Sequence, residues 1–336
     1  MTKVLVTGGA GFIGQHLVPA LAARGQKVRV LDRRPPRCAV RDVEYVTGSV
    51  LDAGLVNEAL QDVGEVYHLA GLPGMWLPKK SEFHAVNFKG TETVIAAARK
   101  RGVARFLHCS TESILFRRPT LPNAADEHDL LPPEEMPGLY TRSKMLAEQS
   151  AAHAAAAGFP LVIGTPTMPV GPHDHNLTPL TAMLQHFLSG RIQMYLDFIV
   201  NLVDVRDVAA GLLLTMERGR VGHRYILGGE SISLKKILKL MAALSGRHYL
   251  SIPIPGVIAE AAAAVLEFVS DHVTHRPPSG TAEGVRIAQR ATELSIAKAQ
   301  SELGYHPRPI EPALRDTIAY LMADQSGPTT VSYSPV

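Results

Sequence analysis

Short apolar runs alternate with amphipathic stretches along the first half of the chain. The β-rich runs are "KVLVT" (3–7), "KVRVLD" (27–32), "VEYVTGSV" (43–50), "EVYHLAG" (65–71), "ARFLHCST" (104–111) and "PLVIGT" (160–165). The stretches between them carry apolar residues at helical spacing, and two of them end at Gly25 and Gly158. Strands that alternate with helices indicate βαβ units with right-handed crossovers. The pattern therefore predicts an α/β fold with a doubly wound parallel sheet over residues 1–165.

The alternation weakens after Pro166, where proline and glycine cluster. The stretch "LVDVRDVAAGLLLTMERG" (202–219) is predicted to be a strand. We expect residues 200–228 to return to the first domain. The remaining segments are assigned to a smaller, mixed α/β substrate lobe and a loose tail. The lobe comprises 166–199 and 229–325, and the tail comprises 326–336.

The longest apolar stretch is "IPIPGVIAEAAAAVLEFV" (252–269), which contains proline, glycine and two glutamates. A transmembrane helix needs about 20 consecutive apolar residues, so no membrane span is predicted. We expect a half-buried helix of the substrate lobe. A helix that lies weakly on a membrane surface is the alternative.

Composition narrows the classes of function. The chain has 336 residues, 46% of them hydrophobic, and a net charge of +3 with dispersed charges, which disfavours a nucleic-acid interface. Only Cys38 and Cys109 are present, so we expect no disulfide framework and a reducing, cytoplasmic compartment. His173 and His175 lack further ligands nearby, so no metal site is expected.

A glycine-rich turn, "TGGAGFIG", lies between the first strand and the first helix. Gly8 permits the tight turn, Gly11 lets the backbone approach a pyrophosphate, and Gly14 allows close packing of helix on strand. Together with Phe12 and Ile13 they predict a dinucleotide site at a helix N-terminus, and hence a Rossmann domain.

The second strand ends at Asp32, which can accept hydrogen bonds from the adenosine ribose and would repel a 2′-phosphate. Arg33, Arg34 and Arg37 follow at once and could bind such a phosphate. We predict NAD because the end of a strand is the better-fixed position. The arginines leave NADP open.

Tyr140 and Lys144 stand four residues apart and share one face of a predicted helix. An ammonium lowers the pKa of a nearby phenol, which makes it a better acid–base near neutral pH. Lys144 can also bind the nicotinamide ribose. A hydroxyl at the end of the fifth strand, Ser110 or Thr111, could hold the substrate oxygen.

Several motifs, in this order and spacing, resemble the extended short-chain dehydrogenase/reductase superfamily, also described as the NAD-dependent epimerase/dehydratase family. They are "TGGAGFIG", "HLAG", "NFKGT", "CSTES" and "YTRSK". Later segments resemble hopanoid-associated sugar epimerases and dihydroflavonol-reductase-like members: "TPTMPVGPHD", "NLVDVRDVAAG", "GHRYILGGESISLKKIL" and "ELGYHPRPIEPALRDTI". The likeness spans nearly the whole chain.

The resemblance implies roles for individual residues. Tyr140 would donate or accept the proton, Lys144 would lower the pKa of Tyr140 and bind the ribose, and Thr111 would be the catalytic hydroxyl with Ser110 beside the nicotinamide. The cofactor pocket would be completed by Leu69, Ala70, Gly71, Asn87 and Pro166. Many relatives carry an acidic residue for the adenine where this chain has Ser49, which precedes Val50.

Departures from the superfamily bear on the substrate. Nucleotide-sugar enzymes often carry an arginine for a diphosphate near the position of Val200, and dehydratases carry two acids where this chain has Glu112 and Ser113. The residues expected around the substrate are otherwise mostly apolar and include Trp76, Met168 and Tyr195, with Glu112 as the one acid. The sequence therefore predicts a hydrophobic or lipid-linked substrate.

Three functions stay open at this point. The preferred one is an NAD(P)-dependent oxidoreductase that moves a hydride between the nicotinamide and a secondary alcohol or ketone. An epimerase with the same site and no net redox change is the first alternative, and a non-catalytic cofactor-binding protein is the second. Relatives often dimerise through two helices per subunit, so we expect a homodimer through helices 88–101 and 140–157.

Overall fold

A computed structural model describes residues 2–116, 124–189, 193–247 and 250–324. Its strands are β1 (Lys3–Thr7), β2 (Val28–Asp32), β3 (Glu44–Thr47), β4 (Val63–His68), β5 (Arg105–Cys109), β6 (Leu161–Pro166), β7 (Met168–Val170), β8 (Gln193–Tyr195), β9 (Ile199–Asp204), β10 (Arg224–Leu227), β11 (Glu230–Ser233) and β12 (Ser251–Pro253). Its α-helices are α1 (Gly14–Ala23), α2 (Ala53–Ala59), α3 (Gly90–Lys100), α4 (Leu139–Ala156), α5 (Pro179–Leu188), α6 (Val205–Arg218), α7 (Leu234–Ser245), α8 (Gly256–Val269), α9 (Ala282–Arg290) and α10 (Ile310–Asp324).

Seven strands form one parallel sheet in the order β10-β6-β5-β4-β1-β2-β3. The chain passes from β1 to β2 and β3 and then returns to β4 on the other side of β1. Such a reversal is the place where α/β sheets bind ligands, beyond the carboxyl ends of the strands. The prediction of a doubly wound parallel sheet is confirmed.

Two apolar layers cover the two faces of the sheet. On one face α1 and α6 pack through residues such as Leu17 and Leu212, both fully buried. On the other face α2, α3 and α4 pack through Val56, Val94 and Ala151, which are equally buried. The strands buried on both faces explain the continuous apolar runs in the sequence.

The prediction of a strand over residues 202–219 is wrong from residue 205 onward. Residues 199–204 form β9, but 205–218 form helix α6. Its buried residues include Val205, Val208, Leu212 and Met216, which recur at helical spacing. The dense apolar composition hid that period, because a helix against a sheet buries much of its surface.

The C-terminal elements build a second core from α5, α7 and α10 around the three-stranded sheet β11-β9-β7. A short parallel pair, β8 with β12, leads into α8. Within the described ranges, no helix has both the length and the apolar character needed to cross a membrane. The division into a sheet domain and a substrate lobe at the stated boundaries remains our proposal, and the predicted tail 326–336 lies outside the described residues.

Candidate active site

The glycine turn after β1 leaves no room for side chains. Gly8 has φ +72°, and a Cβ there would lie 2.6 Å from the backbone nitrogen of Ala70. A Cβ on Gly11 would lie 3.1 Å from the carbonyl oxygen of Gly8, and one on Gly14 would lie 2.5 Å from that of Gly9. Bare backbone at the start of a helix fits the close approach of a pyrophosphate. The turn therefore fits a dinucleotide.

Asp32 at the end of β2 lies beside this turn. Its Oδ2 accepts a hydrogen bond from the backbone N–H of Ala10 at 3.0 Å, and its Oδ1 accepts one from Arg34 N at 3.1 Å. The Arg34 guanidinium points elsewhere, to Asn176 at 3.1 Å. The carboxylate is therefore fixed next to the glycine turn, which we call the cofactor cradle. This position suits the ribose hydroxyls of NAD.

The segment that follows β4 forms the opposite wall of the cradle. Leu69 N donates to Thr7 O at 3.0 Å, and Ala70 lies against the glycine turn. Asn87 is buried, accepts from Leu72 N at 2.7 Å and donates to the Ser143 hydroxyl at 3.0 Å. Asn87 thus ties the segment around Gly71 to α4.

Other predicted cofactor residues have mainly structural contacts. Phe12 and Val50 are buried in the core. Pro166 ends β6 and is also buried. The Ser49 hydroxyl accepts a hydrogen bond from Leu51 N at 3.2 Å. Ile13 lies at the start of α1, and Arg33 is half-buried beside Asp32. Their roles toward the cofactor stay predictions.

Tyr140 lies in the first turn of α4, with its ring at 6.0 Å, centroid to centroid, from the buried ring of Phe83. Burial raises the pKa of the Tyr140 phenol, while a hydrogen bond with the Thr111 side chain acts in the opposite direction. Thr111 follows the end of β5, so the structure brings together the two hydroxyls that the sequence proposed as partners.

Lys144, one turn further along α4, is buried, and its ammonium donates to the Cys109 carbonyl at 3.0 Å. Burial lowers the pKa of Lys144. From the sequence we expect Lys144 to lower the pKa of Tyr140. The pKa is raised instead, because burial of the phenol outweighs the other influences on it. The phenol is therefore protonated at neutral pH.

The Ser110 side chain points toward the third turn of α4. Its hydroxyl donates to Glu148, whose carboxylate also pairs with Arg224 on β10. Glu148 is 1% exposed. Sequence reasoning missed Glu148, although it stands four residues after Lys144 on the same helix face.

A second missed residue is Glu283 on α9. Its carboxylate accepts hydrogen bonds from Tyr140 N at 3.2 Å, from Thr141 N at 2.8 Å and from the Thr141 hydroxyl at 2.8 Å. These are N–H groups that a helix N-terminus leaves without partners inside the helix. A Cβ on Gly138 would collide with this carboxylate. Glu283 lies 143 positions from Tyr140, so no local signal predicted it.

A cavity begins at Glu112, the residue after Thr111, although neither Thr111 nor Tyr140 lines it. Its lining includes Glu112, Leu115, Phe116, Met168, Val200 and Ile287, with Arg290 at one side. Burial raises the pKa of Glu112 to about 7, while a hydrogen bond from Thr111 at 3.4 Å acts in the opposite direction. Of the four predicted substrate residues, Glu112 and Met168 line this cavity.

The other two predicted substrate residues lie elsewhere. Trp76 is 5% exposed, and its indole N–H donates to Asp271 at 2.7 Å. Tyr195 ends β8 and packs in the second core. Contact of either residue with substrate stays a prediction.

Comparison with known proteins places this chain in a family. A sequence profile of the NAD dependent epimerase/dehydratase family matches residues 4–228. The chain is 34% identical over 320 residues to a putative dihydroflavonol 4-reductase of Synechocystis sp., covering 93% of this chain and 92% of that protein. It is 29% identical to sterol demethylase protein B of Methylococcus capsulatus, over 94% of this chain and 97% of that protein.

A solved structure, MoeE5 in complex with UDP-glucuronic acid and NAD, has 25% identity and a TM-score of 0.76, covering 96% of this chain and 99% of that one. The NAD in that structure agrees with the cofactor predicted from the sequence of this chain. The cofactor of this family is NAD, and the similar proteins are named as reductases, dehydrogenases and epimerases. The chain therefore belongs to the NAD-dependent epimerase/dehydratase family, within the extended short-chain dehydrogenases/reductases, and is an NAD-dependent enzyme.

Proposed function

We propose that the enzyme interconverts a ketone and a secondary alcohol on a hydrophobic molecule, with Tyr140 as the acid–base. The observation that carries this proposal is the pairing of the Tyr140 phenol with the Thr111 hydroxyl beside a largely apolar cavity. NAD, when bound, supplies or accepts the hydride.

The residues then divide the remaining work. Thr111 and Tyr140 hold the substrate oxygen between two hydroxyls, and Tyr140 donates the proton that this oxygen gains on reduction. Burial raises the pKa of this phenol, which keeps it protonated but makes it a weaker acid, while the hydrogen bond with Thr111 acts in the opposite direction. Lys144, held by the Cys109 carbonyl, keeps a cationic group beside the cofactor cradle.

The lining of the cavity supports a hydrophobic substrate. Val200, where nucleotide-sugar enzymes often carry an arginine, is 2% exposed overall and lines the cavity together with Phe116 and Met168. A diphosphate taken out of water needs positive partners. Arg290 is the one cation that lines this cavity in the described part of the chain, and it also lies over the ring of Phe116.

An epimerase is the second candidate, because the family includes enzymes of that type and one similar structure holds UDP-glucuronic acid. In an epimerase the hydride leaves and returns to the other face of the same carbon. Tyr140 would then take the proton and give it back.

The test is a screen of steroid, polyprenoid and sugar alcohols and ketones with NAD(H) and NADP(H), following NADH absorbance and product mass. Net change in absorbance with a hydrophobic ketone or alcohol supports the proposal. Turnover of a nucleotide sugar without net change in absorbance would replace it with the epimerase.

We also propose a homodimer through α3 and α4. Leu139 at the start of α4 is 48% exposed, and a depression beside it is lined by Phe83, His84 and Arg142. The alanines of α4 give less support, because Ala151 and two others face the protein's own core. Light scattering at micromolar concentration should give twice the monomer mass, and a monomer would refute the proposal.

The cytoplasm remains the proposed compartment. Both cysteines are free thiols, which suits a reducing environment.

A further inference from the structure

Helix α8 exposes an apolar face to the surroundings of the protein. Val257 is 80% exposed, Val265 64% and Phe268 61%, and the face extends into the following turn with Val273 at 68%. Only Ala259 and Ala263 of this helix are buried. Isolated exposed apolar residues are ordinary, but a continuous set on one helix indicates a binding surface.

The two acidic residues of α8 are turned away from this face. Glu260 pairs with Arg286 of α9 at 2.8 Å. Glu267 accepts a hydrogen bond from the backbone N–H of Ala282 at 3.2 Å. Both carboxylates therefore fasten α8 to α9, and apart from Glu260, which is partly exposed in its ion pair, the exposed side chains of α8 are apolar.

One uncompensated positive charge follows the C-terminal end of α8. Asp271 is neutralised by Lys80 at 2.9 Å and also accepts from the Trp76 indole. His272 and Arg276 are exposed, and Arg276 has no ion-pair partner in the part of the chain that the structure describes. The apolar face is thus followed by the uncompensated guanidinium of Arg276, which complements anionic lipid head groups.

We propose that the exposed face of α8 and the turn Ser270–Thr274 docks on a lipid membrane that carries anionic head groups. A helix of 14 residues is about 21 Å long and can lie flat with its apolar side in the head-group region. A protein partner would need polar contacts at a density of about one hydrogen bond per 100–200 Å². Apart from Glu260, which is already paired with Arg286, the exposed side chains of α8 offer no donor or acceptor for them.

Apolar exposure continues on the element before α8. Ile252 on β12 is 43% exposed, and its register partner Met194 on β8 is 69% exposed. Two residues, Ile254 and Pro255, separate β12 from α8. The docking surface therefore has a second apolar contribution beside the helix.

The proposed surface is one helix away from the cavity. On α9, Arg286 holds α8, Ile287 lines the cavity, and Glu283 binds the start of α4. Docking would place α8 and α9 between the bilayer and the cavity. The docking itself does not depend on the proposed reaction, because it is measured without substrate.

The test uses the full chain and sedimented vesicles of phosphatidylcholine alone or of phosphatidylcholine and phosphatidylglycerol at about 2:1. The wild type should bind the anionic vesicles more strongly than the neutral ones. The double variant Val265→Ser/Phe268→Ser should bind about tenfold or more weakly, since apolar burial drives such binding. Arg276→Glu should weaken binding to the anionic vesicles only.

A matched control is Val221→Ser/Met322→Ser, which removes apolar groups that are 45% and 39% exposed at other sites. It should bind as the wild type does. Thermal unfolding of all variants checks that they are folded.

Equal binding by wild type and Val265→Ser/Phe268→Ser, or no wild-type binding to either vesicle, would overturn the proposal. Self-association that this variant abolishes, without vesicle binding, would assign the face to a second copy of the chain instead.

Discussion

The first turn and the third turn of α4 are held in place by different parts of the chain. At its start, Tyr140 and Thr141 are bound by Glu283 of α9, which follows the apolar helix α8. Two turns later, Glu148 is bound by Ser110 and by Arg224 of the parallel sheet. Both anchors are carboxylates, but one caps backbone N–H groups and the other is a buried ion pair.

The two contacts should differ in how much stability a substitution removes. A buried ion pair leaves an uncompensated charge when one partner is removed, which costs about 3–5 kcal/mol. Loss of a helix-capping group costs less, about 0.5–2 kcal/mol, because it leaves neutral N–H groups rather than a buried charge without a partner. We therefore expect the sheet end of α4 to set its stability and the α9 end to set the position of Tyr140.

The largest expected effect is on catalysis at Tyr140. Tyr140→Phe removes the proton donor and should lower kcat about 10³-fold, as expected for loss of a general acid. NADH binding, followed by fluorescence titration, should be unchanged. The control is Tyr305→Phe, which removes a buried hydroxyl that donates to Gly228 O at 3.1 Å and should leave kcat unchanged. Wild-type kcat in Tyr140→Phe would contradict the proposed chemistry.

The next effect tests the sheet end of α4. Arg224→Met leaves Glu148 buried without its cation and should lower the free energy of unfolding by about 3 kcal/mol in urea titrations. Adding Glu148→Leu should recover part of that loss. Arg315→Met, which breaks the exposed pair with Glu311, should cost less than about 0.5 kcal/mol. Similar costs for Arg224→Met and Arg315→Met would mean that the pair with Glu148 does not anchor α4.

The third prediction concerns pH and Glu112. Because burial raises its pKa to about 7 from the ordinary 4.5, folding favours the protonated acid. That stability is fully present below about pH 4.5 and is lost as pH rises through about 7, by up to about 3 kcal/mol. Glu112→Gln should remove this part of the pH dependence in urea titrations between pH 4 and pH 8. An unchanged pH profile in Glu112→Gln would show that Glu112 titrates normally.

The smallest expected effect is at the α9 end. Glu283→Gln keeps one oxygen acceptor for the start of α4 and should lower the free energy of unfolding by about 1 kcal/mol. Its kcat should fall while NADH binding is retained, because Tyr140 is displaced and the cradle is not. Glu311→Gln, at an exposed carboxylate, is the control and should change neither quantity. A loss of stability as large as that of Arg224→Met would erase the difference between the two ends.

Much of the nucleotide-binding half was predictable because its signals are local. The hydrophobic period predicted most of the order of strands and helices, and the glycine turn predicted where a dinucleotide would bind. The spacing of Tyr140 and Lys144 predicted that they share one face of a helix. The same reasoning failed for α6, where dense apolar composition hid the helical period. The site residues themselves stay predictions until they are tested.

The sequence by itself determined the succession of elements, the turn that fits a dinucleotide and the family, because each depends on residues that are close together along the chain. Only the tertiary structure decided that Glu283 caps α4, that Glu148 pairs with Arg224 and that α8 presents its apolar face outward. Those contacts join segments that are far apart along the chain. Their choice depends on how the helices pack, which no local pattern of residues records.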